Sequence, residues 1–176
     1  KEKGIEQFIQ LSALGIEEAT DSLYAKSKLS GENEIKKNFP KATILRPSVV
    51  YSVDDNFTTN FMTLLNLLPF FPIFKNTKFT PIHVSDLIEI IYYIISKEVK
   101  SMTIECIGNE VINMKDILKK LLNLIGKKRL LISLPFGVSK IIVNLFGFLP
   151  NPPITKDQLN LLKKDNVVSG KYKTNF

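Results

Sequence analysis

The sequence predicts an α/β fold in which a parallel sheet is covered by helices. Short apolar segments with strand character alternate with helical segments along the chain, which is typical of strand–helix–strand units. With 176 residues, 44% of them hydrophobic, the chain is long enough to bury a substantial core. Only two or three central strands are visible, fewer than a doubly wound sheet needs. We therefore expect the chain to hold the second part of such a sheet.

The first hundred residues are predicted to form three strand–helix units. The extended segments are 5–12, 42–45 and 78–83. The helical segments are 23–37, 57–68 and 87–96, each preceded by residues suited to N-capping. The capping candidates are Asp21 and Ser22 for the first helix, Asn56 for the second, and Ser85 and Asp86 for the third. Residues 49–51 are assigned to a loop.

The remainder of the chain is predicted to contain two further extended segments and three helices. The extended segments are 103–107 and 129–134, and the helices are 114–125, 135–148 and 156–164, with Asn113 and Thr155 as caps. Residues 166–176 are polar and are expected to form a loose tail.

Composition excludes some classes of function and leaves others open. The net charge of +7 favours anionic partners, but the lysines are scattered, so we interpret them as a solvated surface and expect no nucleic-acid partner. A single histidine excludes a multi-histidine metal site, and we assign no metal ligands. The lone Cys106 lies in an apolar run and is predicted to be a buried structural thiol. Glycine and proline interrupt the apolar stretch 130–150, which argues against a transmembrane helix.

Tyr24 and Lys28 lie four residues apart on one face of a predicted helix. A tyrosine hydroxyl has an ordinary pKa of about 10, which is too high for proton transfer at neutral pH. A neighbouring ammonium stabilises the phenolate, so such a pair can act as an acid/base at a carbonyl or alcohol. Taken alone, a Tyr and a Lys at this spacing are usually a solvated amphipathic contact.

The surrounding segments resemble the extended short-chain dehydrogenase/reductases. A strand that ends in Ser12 precedes the Tyr24 helix, the next strand runs into Arg46-Pro47, and residues 81–86 resemble the family's Val-x-Asp helix start. The resemblance implies the C-terminal part of a Rossmann-like doubly wound parallel sheet with a small helical C-terminal substrate-side subdomain. It places the second half of the NAD(P)-binding domain in 1–100, a substrate-side or docking region in 101–165, and the tail in 166–176.

The same resemblance implies roles for individual residues. Tyr24 would be the acid/base, and Lys28 would bind the nicotinamide ribose and lower the pKa of Tyr24. Ser12 is a further catalytic candidate. His83 is a candidate contact on the substrate side, with capping or packing as its alternative. The loop expected beside the nicotinamide contains Arg46, Pro47, Ser48, Val49 and Val50; Arg46 alternatively orders that loop by binding carboxylates or carbonyl groups.

Three features depart from the family pattern. Ala13 stands where a second hydroxyl residue often ends the strand, which puts the oxyanion donor in doubt. Ser52 replaces the glycine expected after Val-Tyr. Gly15 and Gly31 do not form a phosphate-binding fingerprint, so the pyrophosphate site of NAD or NADP is expected outside this chain; Gly31 is interpreted as a point of close helix packing.

Motifs in the last third resemble one atypical branch, the NAD(P)H-carrying accessory subunit of respiratory complex I and its bacterial relatives. These motifs are 134–136, 152–158 and 161–168. The branch implies a nucleotide-holding accessory or assembly subunit, cytoplasmic or peripheral on the inner face of an energy-transducing membrane or on the matrix side. The apolar segment 130–150 would then dock on a membrane-bound respiratory complex, with at most peripheral membrane contact. Coverage by the fold itself is the alternative.

Two other functions remain open. The Tyr24–Lys28 pair is compatible with an active NAD(P)-dependent oxidoreductase or sugar-nucleotide epimerase/dehydratase. The chain is also compatible with a scaffold that carries a relict site. The sequence does not distinguish NAD from NADP, because the selecting residue would lie upstream.

Overall fold

The computed structural model describes residues 4–146 and 154–175, and it has the α/β architecture that the sequence predicts. Its strands are β1 (Ile9–Leu11), β2 (Thr43–Pro47), β3 (Val50–Tyr51), β4 (Phe70–Ile73), β5 (Lys78–Phe79), β6 (Ile82–His83), β7 (Thr103–Cys106), β8 (Ile112–Asn113), β9 (Leu130–Ser133) and β10 (Lys173–Thr174). Its helices are α1 (Leu23–Asn38), α2 (Asn56–Leu67), α3 (Val84–Ser96), α4 (Met114–Leu124), α5 (Phe136–Phe146) and α6 (Lys156–Leu161).

The main sheet is parallel throughout, with the strand order β1-β2-β7-β10. Central strand β2 is buried along most of its length, and its Ile44 and Leu45 are completely enclosed, as expected for a strand covered on both sides. Leu45 pairs with Leu11 on one side and with Ile104 on the other. Helix α3 packs its buried Leu87 and Ile94 against this sheet. The predicted parallel sheet is therefore confirmed.

A second apolar cluster forms beside the sheet. Helix α4 buries an apolar face at helical spacing against α2 and the short strands, with Leu65, Phe71 and Leu118 at its centre. Strand β4 pairs with β9, and β5 pairs with β8. Val49, in the loop that follows β2, packs against this cluster.

The tail differs from the sequence-based expectation. Residues 173–174 form β10, which extends the main sheet beside β7. The buried Glu105 carboxylate accepts hydrogen bonds from the Ser169 backbone N–H at 2.9 Å and hydroxyl at 2.6 Å. The Asn175 side chain donates to the Ile107 carbonyl at 3.1 Å and accepts from its N–H at 2.7 Å. These polar contacts to distant residues hold the tail against the main sheet.

Several local assignments also change. Residues 50–51 form a strand rather than a loop because they pair with Ile82 and His83. Helix α3 is capped by His83, whose Nδ1 accepts from the Ser85 N–H at 3.3 Å, and Asp86 lies inside the first turn. Helix α2 is capped by Asp55 rather than Asn56. A Cβ added at Gly31 would meet no atom within 4 Å among the described residues, so the expected close packing there is wrong.

Part of the predicted apolar segment 130–150 lies outside the described residues. Within it, the structure describes β9 and α5, but not residues 147–153 or the side chains of Phe136, Ile142, Leu145 and Phe146. In the parts of the chain that the structure describes, no helix has the length and apolar character needed to cross a bilayer.

Candidate functional site

The Tyr24–Lys28 pair lies at the start of α1, next to the end of β1. Ser22 caps the helix by accepting a hydrogen bond from the Ala25 N–H at 3.2 Å, which places Tyr24 in the first turn. Lys28 Nζ donates to the Leu11 carbonyl at 3.4 Å and lies 5.8 Å from the centroid of the Tyr24 ring. The ammonium thus contacts the face of the ring and the end of the strand.

This arrangement changes the expected electrostatics of Tyr24. Its side chain is 45% exposed, yet partial burial raises the pKa of the hydroxyl above its ordinary value of 10. Lys28 does not offset that effect in this geometry, because its ammonium lies over the ring rather than at the hydroxyl. The predicted lowering of the Tyr24 pKa by Lys28 is therefore wrong for the chain by itself.

Ser12 follows β1 as predicted, but its hydroxyl is buried. It has no hydrogen bond of standard geometry, although it lies close enough to the buried Glu32 carboxylate to help hold the pKa of that group down. The adjacent Ala13 offers no hydroxyl.

Arg46 is almost completely buried and is enclosed by acidic side chains. Its Nε and Nη2 donate to the two Glu32 carboxylate oxygens at 2.8 and 2.7 Å, and Nη2 also donates to Glu17 at 2.9 Å. The guanidinium carbon lies 4.6 Å from the centroid of the Tyr172 ring, and the Tyr172 hydroxyl donates to Glu17 at 2.5 Å. The guanidinium thus binds carboxylates of its own chain. This matches the alternative prediction for Arg46, in which it orders the loop by binding carboxylates.

Burial and charge act in opposite directions in this Arg46 cluster. Burial by itself would raise the pKa of Glu32, but hydrogen bonds and the charge of Arg46 outweigh it and hold the pKa below the ordinary value. Burial would likewise lower the pKa of Arg46, whereas Glu32 and Glu17 keep it above its ordinary range. The cluster is fully charged at neutral pH.

The loop from Pro47 to Val50 is held by backbone hydrogen bonds to three neighbouring segments. The Pro47 carbonyl accepts from the Leu14 N–H at 2.9 Å, and the Ser48 N–H donates to the Cys106 carbonyl at 2.9 Å. The Val49 carbonyl accepts from the Ile82 N–H at 3.0 Å, and Val50 pairs with Ile82 in the short sheet of β3 and β6. The loop is therefore fixed at the carboxyl end of the main sheet.

His83 and Cys106 have structural contacts. The His83 ring packs edge-on against Tyr51, with ring centroids 5.2 Å apart, and the same residue caps α3. Cys106 is buried in the sheet, and burial raises the pKa of its thiol to about 12, so it is protonated at neutral pH. His83 therefore has the capping and packing contacts that were predicted as the alternative to a substrate contact.

Two residues that the sequence analysis did not assign bind the candidate site from the C-terminal segment. The Asn166 amide accepts a hydrogen bond from the Ser48 hydroxyl at 2.5 Å and donates one to the Leu14 carbonyl at 2.9 Å. The Asp157 carboxylate accepts hydrogen bonds at the N-terminus of α1. Both residues belong to motifs that were recognised in the sequence, but their partners lie more than a hundred residues away.

The accessible donors at this end of the sheet fit the nicotinamide-ribose end of a dinucleotide. The Tyr24 hydroxyl and the Lys28 ammonium are both able to donate to ribose hydroxyl groups. Lys28 makes no ion pair among the described residues, so its charge is not neutralised there. Within those residues, no group of three or more histidine, cysteine, aspartate or glutamate side chains is arranged to hold a metal ion.

A family comparison agrees with this geometry. The RmlD substrate binding domain family matches residues 17–131, which is well over half of the chain. The chain belongs to this family. The family lies within the short-chain dehydrogenase/reductase superfamily, so the resemblance identified from Tyr24, Lys28 and the Arg46-Pro47 loop is confirmed at that level.

Individual proteins extend the comparison. The mitochondrial NADH dehydrogenase (ubiquinone) 1 alpha subcomplex subunit 9 of Arabidopsis thaliana is 28% identical over 179 residues, covering 94% of this chain and 44% of that protein. The ceramide reductase of Caulobacter vibrioides is 35% identical over 81 residues, covering 46% of this chain and 26% of that protein. The chain thus spans less than half the length of these relatives.

A solved structure shows the same fold. The dTDP-4-dehydrorhamnose reductase of Clostridium acetobutylicum superposes with a TM-score of 0.60 at 18% sequence identity, over 96% of this chain and 61% of that one. This similarity confirms the predicted Rossmann-like α/β class.

Proposed function

We propose that this chain is the nicotinamide-side half of a nucleotide-holding accessory subunit of respiratory complex I, with NAD or NADP held as a bound group rather than turned over. The observation that carries the proposal is the placement of hydroxyl groups around Tyr24. Ser12 is buried beside Glu32, and Ala13 has no hydroxyl, so the end of β1 offers no accessible hydroxyl donor for a reacting carbonyl. Oxyanion stabilisation of this kind is usually a large part of catalysis.

The pKa of the Tyr24 hydroxyl supports a protein that keeps a dinucleotide bound rather than one that uses it in repeated catalysis. An acid/base at neutral pH needs a pKa shifted toward 7, whereas the pKa of Tyr24 is shifted upward. The same groups remain suited to binding, because a neutral phenol and a charged ammonium both donate hydrogen bonds. When bound, a dinucleotide supplies hydride-transfer chemistry at its nicotinamide.

The outer edge of β1 supports a position for the other half of the nucleotide site. Among the described residues, β1 pairs only with β2, so its other edge has no strand partner there. An unpaired edge of a parallel sheet is a surface on which further strands add. We place the phosphate-binding strands of the full-length protein on this edge.

The surface around β9 and α5 supports docking on a membrane-bound partner. Leu130, Val138 and Ile141 are exposed there, although one face of α5 is closed by the buried Val143. Val138 and Ile141 lie one turn apart on α5, and groups of exposed apolar side chains are typical of protein contact surfaces. We place this surface against the respiratory complex, on the inner face of the energy-transducing membrane or on the matrix side.

The nucleotide content of the full-length protein tests the proposal. Purified protein should release one dinucleotide per chain on denaturation and should sediment with membranes that contain the complex. Lys28→Met should weaken nucleotide binding about 10-fold or more, because a charge-assisted hydrogen bond contributes roughly 1.5–3 kcal/mol. Lys26→Met, which removes a lysine from the same turn of α1, is the matched control and should bind as the wild type does.

A second candidate function is an active oxidoreductase, or a sugar-nucleotide epimerase/dehydratase. The Tyr24–Lys28 pair and the similarity to ceramide reductase support it. Multiple turnovers of a small carbonyl substrate by the purified protein, reduced about 100-fold or more by Tyr24→Phe, would establish this function and exclude the first. If the wild-type protein binds neither NAD(H) nor NADP(H), the remaining hypothesis is a scaffold that carries a relict site.

A further inference from the structure

A carboxylate from the C-terminal segment binds the N-terminus of α1. Asp157 Oδ1 accepts a hydrogen bond from the Leu23 N–H at 2.6 Å, and Oδ2 accepts from the Tyr24 N–H at 3.1 Å and from the Ser22 hydroxyl at 3.0 Å. An anion at this end of a helix also interacts favourably with the helix dipole. Asp157 therefore satisfies the free N–H groups of the turn that carries Tyr24.

Helix α6 is built so that Asp157 has a defined position. Thr155 and Gln158 form a reciprocal capping box, with the Gln158 N–H to Thr155 hydroxyl at 3.1 Å and the Thr155 N–H to Gln158 Oε1 at 2.8 Å. Leu161, one turn later, packs against the apolar cluster of Ile16, Ala19 and Ala25. The cap and this apolar contact hold Asp157 from both ends of the short helix.

Two polar contacts, one from α6 and one from the residues just after it, bind the residue before the Ser22 cap. The Asn160 amide donates to the Asp21 carbonyl at 3.1 Å, and the Lys163 ammonium lies 3.0 Å from the Asp21 carboxylate. Hydrogen bonds from Leu23, Tyr24 and Ser22 hold the pKa of Asp157 below its ordinary value, although burial opposes them. The carboxylate is therefore charged at neutral pH and remains an acceptor.

We infer that Asp157 is a positioning residue for Tyr24, through which the C-terminal segment sets the geometry of the nucleotide-facing pair. Tyr24 lies in the first turn, where the helix supplies no carbonyl partner for its N–H, so its backbone position depends on Asp157. Lys28 lies one turn further and is held by the helix itself. Loss of Asp157 should thus displace Tyr24 relative to Lys28. This role in nucleotide binding rests on the proposed function.

A fluorine label on tyrosine reports the position of Tyr24 without any ligand. Full-length protein containing 3-fluorotyrosine is compared as wild type, Asp157→Ala and Asp157→Asn, with the Tyr24 resonance assigned by its loss in Tyr24→Phe. We expect Asp157→Ala to shift or broaden the Tyr24 resonance, while Tyr92, exposed on α3, stays unchanged. Asp157→Asn retains one acceptor oxygen and should give an intermediate shift.

Nucleotide affinity then separates positioning from general stability. Asp157→Ala should weaken NADH or NADPH binding about 10-fold, within the range typical of coupled sites. In a Tyr24→Phe background the same change should cost less than about 2-fold, because coupled residues are not additive. Asp116→Ala removes an acidic side chain from the first turn of α4 and is the matched control; it should alter neither the Tyr24 resonance nor the affinity.

The outcomes distinguish this inference from the proposed function. An unchanged Tyr24 resonance in both Asp157 variants, or an equal affinity loss with and without the Tyr24 hydroxyl, overturns the positioning role. A folded wild type without nucleotide affinity overturns the proposed function, and the fluorine resonance alone then decides whether Asp157 positions Tyr24.

Discussion

The two polar clusters around β2 and α1 differ in how completely they are partnered. The Arg46 cluster is buried, and its guanidinium is bound by Glu32, Glu17 and the ring of Tyr172. The Tyr24–Lys28 pair, one to two turns away along α1, is partly exposed, and the Lys28 ammonium donates a long hydrogen bond to the Leu11 carbonyl. A closed cluster stabilises the fold, whereas an open pair retains donors for a ligand. The same helix therefore contributes both to stability and to the candidate site.

Breaking the closed cluster should produce the largest effect. We expect Glu32→Ala to lower the free energy of unfolding by about 3–5 kcal/mol, because it leaves the buried Arg46 guanidinium short of a partner. Urea denaturation followed by circular dichroism measures this change. Glu34→Ala, at an exposed position of α1, is the matched control and should stay within about 0.5 kcal/mol of the wild type. If Glu32→Ala and Glu34→Ala lower the free energy of unfolding equally, the Arg46 cluster does not stabilise the fold as described.

Low pH should weaken the Arg46 cluster by protonating the carboxylates of Glu17 and Glu32. Burial tends to raise the pKa values of Glu17 and Glu32, but their hydrogen bonds and Arg46 hold both below the ordinary value of 4.5. The unfolded chain therefore takes up these protons first, so the stabilisation present above about pH 4.5 is lost as the pH falls through the folded pKa values. Urea midpoints measured from about pH 7 down to about pH 3 should fall less steeply in Glu32→Gln than in the wild type. If the two curves of urea midpoint against pH are parallel, Glu32 does not contribute to the loss of stability in acid.

The smallest effect should come from filling an empty position on α1. Gly31 lies inside the helix, and an added Cβ would meet no atom within 4 Å among the described residues, so Gly31→Ala should raise stability by about 0.5–1 kcal/mol. Gly126, which has a φ of +65°, is the contrasting control, and its replacement by alanine should destabilise the protein. A loss of stability in Gly31→Ala, measured as a lower urea midpoint, would show that another part of the protein packs against this position.

Local sequence signals located most secondary-structure elements. Helix α1 was predicted at 23–37 and is observed at Leu23–Asn38, and α4 was predicted to follow its Asn113 cap, as observed. These predictions succeeded because capping side chains and apolar periodicity act over one or two turns. The prediction for the tail failed because its polar residues give no periodic signal. The position of the tail depends on Glu105 and Ile107, which lie in and just after a distant strand.

The candidate site shows the same division. The four-residue spacing of Tyr24 and Lys28 on a helix determined, by geometry alone, that the two side chains share a face. The Arg46-Pro47 motif marked the end of β2 and the loop that follows it. The sequence did not reveal that the Lys28 ammonium lies over the Tyr24 ring, that the Ser12 hydroxyl is buried beside Glu32, or that Asp157 binds the first turn of α1. Asp157 is separated from Leu23 by 134 positions in the chain. Such contacts depend on how elements pack in three dimensions, so only the tertiary structure decided them, while the sequence by itself determined the local helices, strands and side-chain spacing.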